Sequence, residues 1–179
     1  MADSLCPILR AVHDELFLMR QDSQRLAQLR RQLILDSAPE LAYDDITKLL
    51  ATSLDVPIAM LNFLDENRDW FKSTVGLAQR QSPTNTSFCE TFLHSSVDLM
   101  VVDDTMQDAR FQQHPLVTGA PYVRFYAAAR ITSAGHTLGT LCAYDIKPRK
   151  ISTEQIETLQ TLATAVIELI RKRATSDSA

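Results

Sequence analysis

Apolar and polar positions alternate along this chain with two periods, and the changes of period divide it into elements. Over residues 4–20, Leu5, Ile8, Leu9, Val12, Leu16 and Met19 share one helical face, with Pro7 tolerable in the first turn. Leu26, Leu29 and Leu33 carry the helical spacing through residues 24–35, after a break near Asp22-Ser23. Leu5, Val12, Met19, Leu26 and Leu33 recur every seven residues, as one seam of a coiled coil would. The companion positions Ile8, Glu15, Asp22 and Leu29 are half charged, so the pattern fits either two short packing helices or one dimerising helix. Pro39 ends that helix. The next is expected over 44–54, with Ile46, Leu49, Leu50 and Leu54 inward and Asp44-Asp45 at its positive end.

Strands follow. VPIAMLNFLD (56–65) is apolar on both faces, as a central strand is, and Glu66-Asn67-Arg68 turns it into a second strand, 69–76. The polar, Pro83-containing stretch 77–87 is expected to be a surface loop. Residues 87–93 read as a short helix capped by Thr86 or Ser87. Leu99 to Val102 makes a third strand, and a polar excursion leads to a hairpin of YVRFYAAARI and HTLGTLCAYD. A final helix runs from Ser152 to about Arg173, opened by a Ser152–Gln155 capping box and closed by Arg171-Lys172-Arg173. The fold class is α+β: a mostly antiparallel sheet, long helices from both chain ends on one face, and irregular segments enclosing a pocket on the other. The expected division is an amphipathic helix at 1–22, a domain at 23–173 and a disordered tail at 174–179.

Composition narrows the function. The 179 residues are 45% hydrophobic and 22% charged, with a net charge of −4 and no basic stripe, which argues against nucleic acid. No apolar run approaches the roughly 20 residues that span a bilayer, and the N-terminus has no secretory pattern. Three scattered cysteines, Cys6, Cys89 and Cys142, do not form a disulfide framework, so a cytoplasmic setting is expected. His13, His94, His114 and His136 are spread out, and no metal site is expected.

Several runs together, ILDSAPELAYDDIT, VPIAMLNFLDENRDWFKSTVGL, TSFCETF, VVDDTMQDARF and GHTLGTLCAYDIKPR, resemble the GAF domain family. The resemblance covers roughly Gln24 to Arg173 and is closest to the bacterial GAF subgroup found in sensor kinases and diguanylate cyclases. It implies a six-stranded antiparallel sheet with helices behind and a ligand pocket in front. Five strands are clear in the pattern, and a sixth would have to come from within 77–87. Members bind cyclic nucleotides, bilins, haem or metabolites, or only dimerise, so the ligand and any cofactor are unknown. Nothing follows the terminal helix, and the expectation is a stand-alone, non-catalytic sensory module signalling through its terminal helices to a separate partner, with homodimerisation through the same helices.

Bilin attachment in the family uses a cysteine after the third strand, where this chain has none, and Cys89 precedes that strand and is followed by Glu90. A related lineage reduces free methionine sulfoxide with cysteines in other surroundings. Cys89 near a helix N-terminus with Cys142 on the sheet would be the counterpart, against the plainer reading of two buried thiols. Asn62-Phe63-Leu64-Asp65-Glu66 resembles a cyclic-nucleotide signature but stands too early in the domain. Asp103 or Asp104 is expected to cap the turn that follows, and Arg110 to pair with a carboxylate. In the hairpin, alternation places Tyr126, Ala128 and Arg130 on one face and Phe125, Ala127, Ala129 and Ile131 on the other, without saying which lines the pocket. Arg130 needs a partner, either a protein acid or an anionic ligand. The candidate ligand-binding set is Trp70, Cys89, Phe92, Phe111, Tyr126, Ala128, Arg130 and Cys142, with Phe71 and Tyr144 as further apolar walls and no catalytic residue. A scaffold that only binds partners is the third reading.

Overall fold

The computed structural model describes residues 18–176. Leu5 and Val12 of the seam, Cys6 and residues 177–179 lie outside the described residues; of the rest of the seam, Leu26 is buried while Met19 and Leu33 are exposed, and the expected 1–22 helix is represented by residues 18–20, which are helical. Helix α1 is Ser23–Arg31, opened by Asp22, whose carboxylate accepts from the Arg25 backbone N–H at 2.6 Å. It stops four residues before the expected 35. Helix α2 is Leu41–Leu54, beginning before Asp44 because the Glu40 carbonyl already accepts from the Tyr43 and Asp44 N–H groups. It ends at Asp55 in the left-handed region, φ 52°.

The strands are β1 (Ile58–Leu64), β2 (Arg68–Val75), β3 (Gln81–Pro83), β4 (Leu99–Val102), β5 (Phe125–Ser133) and β6 (His136–Asp145). They form one sheet in the order β3-β2-β1-β6-β5-β4, and every pairing is antiparallel. The sixth strand, β3, lies inside the stretch expected to be a loop. Its three residues pair with Arg68 to Trp70, at an edge where the missing N–H of Pro83 costs no ladder bond. Residues 87–93 form a 3-10 turn, Cys89–Leu93, rather than an α-helix, and the Glu90 N–H bonds Ser87 Oγ at 3.2 Å. A short helix α3 (Pro115–Thr118) lies in the excursion before β5. The last helix, α4, runs Thr153–Ser176, past the expected end at Arg173, and the Ser152–Gln155 capping box is formed at 3.0 and 3.2 Å.

The sheet separates two apolar layers. Behind it, Leu50 and Leu54 of α2 and Leu159, Val166 and Ile170 of α4 pack on Ala59, Leu61 and Phe63 of β1 and on Phe125, Ala127, Ala129 and Ile131 of β5. Tyr126 and Ala128 face the other way, into a front layer with Met60, Phe71, Phe88, Phe92, Phe111, Cys142 and Tyr144. The alanines that face back leave room for α4 to lie on β5. Lys72 of β2, at a bulge opposite Leu61/Asn62, faces back, where its fully buried ammonium meets Ser37 Oγ, the Ala38 carbonyl and Glu40 Oε1 at 2.5–2.7 Å. Glu40 also takes Arg173 of α4 at 2.6 Å, so one carboxylate ties sheet and terminal helix together.

Candidate site on the front of the sheet

The front layer closes over only part of the sheet. Above β1, β2 and β6 it leaves a cavity of about 400 Å³. Its floor is Ile58, Met60 and Asn62 of β1, Asp69 and Phe71 of β2 and Tyr144 of β6. Leu77, Gln79 and the residues of β3 form one wall, and Phe88 with Leu116, Pro121 and Val123 forms the other.

Two polar groups lie in that floor, both missed as candidates in the sequence. Asn62 is the single polar residue of β1 and is 1% exposed, and Asp69 is 2% exposed. Asn62 Nδ2 donates to Asp69 Oδ2 at 3.0 Å, Ser87 Oγ donates to the same oxygen at 2.5 Å, and Arg20 Nη2 donates to Oδ1 at 2.8 Å. Arg20 is itself buried and also reaches Glu90 and the carbonyls of Asp65 and Arg68. Burial pushes the Asp69 carboxyl up, while the Arg20 charge and the donors Ser87 and Asn62 oppose the rise. All three donors need an accepting oxygen, which fits the ionised carboxylate. Asn62 Oδ1 has no partner.

Six of the eight candidates come together beside the cavity, not on its surface. Cys89, Phe92, Phe111, Tyr126, Ala128 and Cys142 are buried in the front layer, and none of them lines the cavity. The two thiols are 3.8 Å apart, with Tyr126 Oη 3.4 Å and Tyr144 Oη 3.6 Å from Cys89 Sγ. Burial opposes ionisation of Cys89, but donors led by Cys142 outweigh it and bring the thiol down to about 7. Cys142 is pushed up, by burial and by its neighbour. Phe88 stacks on Phe111 at 4.9 Å and meets the His114 ring at 4.2 Å with the planes tilted by 52°, and burial lowers the imidazole to about 4.

The remaining two candidates lie elsewhere. Trp70 faces back, in the helix-side core with its ring 6.4 Å from Phe63, because β2 alternates and its neighbour Phe71 takes the front. Arg130 is spent on the protein. Its nitrogens bond Thr137 Oγ1 at 2.6 Å, the Ser95 carbonyl at 2.5 Å and the Val97 carbonyl at 2.6 Å, with Asp98 at 3.2 Å and the Phe92 ring beneath. Of the two partners open to it, the protein supplies the one it takes. Asp104 caps its turn through the Met106 N–H, and Arg110 pairs with Asp108 at 2.5 Å. Among the described residues, no group of three or more His, Cys, Asp or Glu is placed to hold a metal ion, and no helix is long and apolar enough to cross a membrane.

A known family's signature covers residues 38–168, which hold all six strands of this sheet. The chain belongs to the GAF domain family. This GAF domain is 34% identical over 129 residues to the cyclic di-GMP phosphodiesterase PA2567 of Pseudomonas aeruginosa. That alignment covers 72% of this chain and 22% of the phosphodiesterase, so the chain spans about a fifth of that relative's length. Among solved structures, the GAF domain of an Acinetobacter phosphoenolpyruvate-protein phosphotransferase superposes with a TM-score of 0.60 at 16% identity, covering 84% of this chain and 95% of that one. Free methionine-R-sulfoxide reductase from Neisseria meningitidis gives 0.60 at 13% identity, over 85% and 89% of the two chains. The chromophore-binding domain of a bacteriophytochrome from R. palustris gives 0.64 at 10%, over 92% and 63%. At these identities the structures share the fold with this GAF domain and nothing more.

Proposed function

We propose that this GAF domain is a non-catalytic sensory module of bacterial signalling that holds a small molecule in the front cavity. Its state would pass through the terminal helices to a separate partner or a second copy, in the cytoplasm. The observation that carries this reading is the cavity itself, about 400 Å³, largely apolar, with a buried amide and carboxylate in its floor. Its lining holds no thiol and only one carboxylate, which is already bonded to three donors. The 34% identity to a cyclic di-GMP phosphodiesterase supports a signalling context. Native mass spectrometry of freshly purified protein tests the proposal. A bound small molecule is expected, together with a dimer, and the adduct should be lost when Ile58→Trp fills the cavity. Absence of any adduct, with no stabilisation by a metabolite library in thermal denaturation, overturns the ligand reading. A dimer that persists after deletion of residues 1–20 overturns the N-terminal helix as its basis.

A second reading is favoured by the thiol pair at 3.8 Å with Cys89 near 7. On it the chain is a redox enzyme of the free methionine sulfoxide reductase type, using Cys89 and Cys142. Against it, both thiols are at most 1% exposed, so substrate would have to displace the Cys89–Leu93 turn. NADPH consumption with a thioredoxin system and free methionine sulfoxide decides the matter. Turnover lost in Cys89→Ser and Cys142→Ser supports the enzyme, and no turnover in the intact protein ends it.

A further inference from the structure

We infer that Cys89 and Cys142 are a site of reversible oxidation: a small hydroperoxide converts the two thiols into a disulfide, and the new bond draws one wall of the front cavity toward the sheet. Neither a bound ligand nor methionine sulfoxide takes part, so this chemistry is separate from both readings of function.

The pair has one fixed and one adjustable half. Cys142 sits in β6, which is laddered on both sides, opposite Met60 of β1 and Ala128 of β5. Cys89 opens the Cys89–Leu93 turn, which belongs to no ladder. Their sulfurs are 3.8 Å apart, and reaching the roughly 2.0 Å of an S–S bond takes a shift of less than about 2 Å. Cys89 is the half equipped to react. Tyr126 Oη donates to its sulfur at 3.4 Å and Tyr144 Oη lies at 3.6 Å, so a negative sulfur there is met by hydroxyl groups. Burial opposes that charge, but donors led by Cys142 outweigh it and lower the Cys89 thiol, while burial pushes Cys142 up. One sulfur is thus the nucleophile and the other the resolving thiol.

In the first step the Cys89 sulfur attacks one oxygen of hydrogen peroxide and the O–O bond breaks. The departing hydroxide takes the proton that Cys89 gave up and leaves as water, and Cys89 becomes a sulfenic acid. In the second the Cys142 sulfur attacks the Cys89 sulfur, the S–O bond breaks, and hydroxide leaves as water with the Cys142 proton. Two thiols and one peroxide give one disulfide and two waters. The oxidant has a short path. Phe88 and Tyr144 line the cavity; the first precedes Cys89 in the chain and the second touches its sulfur. Methionine sulfoxide would have to displace the turn, whereas peroxide is little larger than water. Phe88 is also what links the pair to the cavity. A turn pulled toward β6 carries its ring, which packs on Phe111, Tyr126 and Tyr144 at 4.9–5.6 Å.

The test uses the full chain carrying Cys6→Ser, in which only the buried pair can react. Folded protein is treated with stoichiometric hydrogen peroxide and followed by intact mass, peptide mapping without reductant and methyl NMR. A loss of two hydrogens is expected, with a Cys89–Cys142 cross-linked peptide and full reversal by dithiothreitol. Methyl signals of Ile58, Met60 and Leu116 in the cavity lining should shift on oxidation, and those of Leu159 and Val166 behind the sheet should not. In Cys142→Ser the reaction should stop at a sulfenic acid that dimedone traps on Cys89. In Cys89→Ser, Cys142 should be oxidised at least about tenfold more slowly, since little of it is thiolate. Should either variant fail to fold, the cross-link and the NMR shifts in the parent chain decide by themselves. Folded protein that keeps both thiols under peroxide that oxidises the urea-unfolded chain, or loses them to sulfinic acid instead, overturns the site. A disulfide that leaves the Ile58, Met60 and Leu116 signals unmoved overturns its hold on the cavity wall. Neither result bears on ligand binding or on methionine sulfoxide reduction.

Discussion

Replacing Arg20 by Leu removes the cation from a carboxylate that has almost no access to water. The two side chains of the ion pair are 2% and 3% exposed and meet at 2.8 Å. Breaking a buried pair by deleting one partner costs about 3–5 kcal/mol, because the other charge is stranded. The second contact, to Glu90 at 3.0 Å, adds little, since Glu90 is 21% exposed and water screens it. With a urea dependence of about 2 kcal/mol per molar, the unfolding midpoint should fall by about 1.5–2.5 M at pH 8. The loss should also depend on pH. Burial already raises the Asp69 carboxyl above its ordinary 3.8, and without Arg20 it rises further. A carboxyl raised in the folded state binds more protons there than in the unfolded chain. The variant therefore loses stability as pH climbs from about 4 through the raised value, and its deficit is smaller at pH 5 than at pH 8. The double variant Arg20→Leu/Asp69→Asn should regain at least half of the loss, since no charge is stranded. Urea unfolding followed by circular dichroism at both pH values measures all of this. A deficit below about 1 kcal/mol at pH 8, or one that is the same at both pH values, refutes the reasoning.

Two further perturbations test the frame around the site. A Cβ added at Gly139 would sit 1.9 Å from the Asn62 carbonyl oxygen, so Gly139→Ala must push β1 and β6 apart, and a loss of about 3 kcal/mol or more is expected in urea unfolding. A loss under 1 kcal/mol would mean that the strands yield there. Glu40 is held below its ordinary 4.5, since the bonds from Lys72 and Arg173 outweigh its burial, so its contribution is present above that value and fades as pH falls through the lowered one. Glu40→Gln should accordingly melt lower than wild type at pH 7, by a margin that narrows as pH falls below 4.5; a margin that stays constant into the acid range would contradict this.

The sheet was legible because alternation and turn residues mark its hairpins, and β1, β2, β5 and β6 fall where the pattern places them to within a few residues. β3 was not, since two polar residues and a proline carry no periodic signal, and only the exposed ladder of β2 recruits them. The candidate residues lie one layer deeper than the cavity. Aromatic and small residues drew attention to Cys89, Phe92, Phe111, Tyr126, Ala128 and Cys142, which pack against one another beside the cavity and leave no space. Trp70 and Phe71 are adjacent and equally apolar, and which of them faces front depends on parity that the Lys72 bulge disturbs. A signal for the cavity floor was present: Asn62 interrupts an otherwise apolar strand, and Asp69 stands across its hairpin. The local run around Asn62 carries no such meaning by itself; the pairing across the hairpin supplies it. Arg20 carried no such mark, since its acceptors lie 45 to 70 residues away.

The two borders of the sheet bear on how this domain can meet other chains. Both outer strands are brief, three residues in β3 and four in β4, and β3 ends in Pro83, which offers no N–H to a newcomer. A visiting strand would find too few free backbone groups to register against, so growth by strand addition has no template on either side. Any contact between copies of this fold is thereby steered away from its backbone ladders and onto side-chain surfaces.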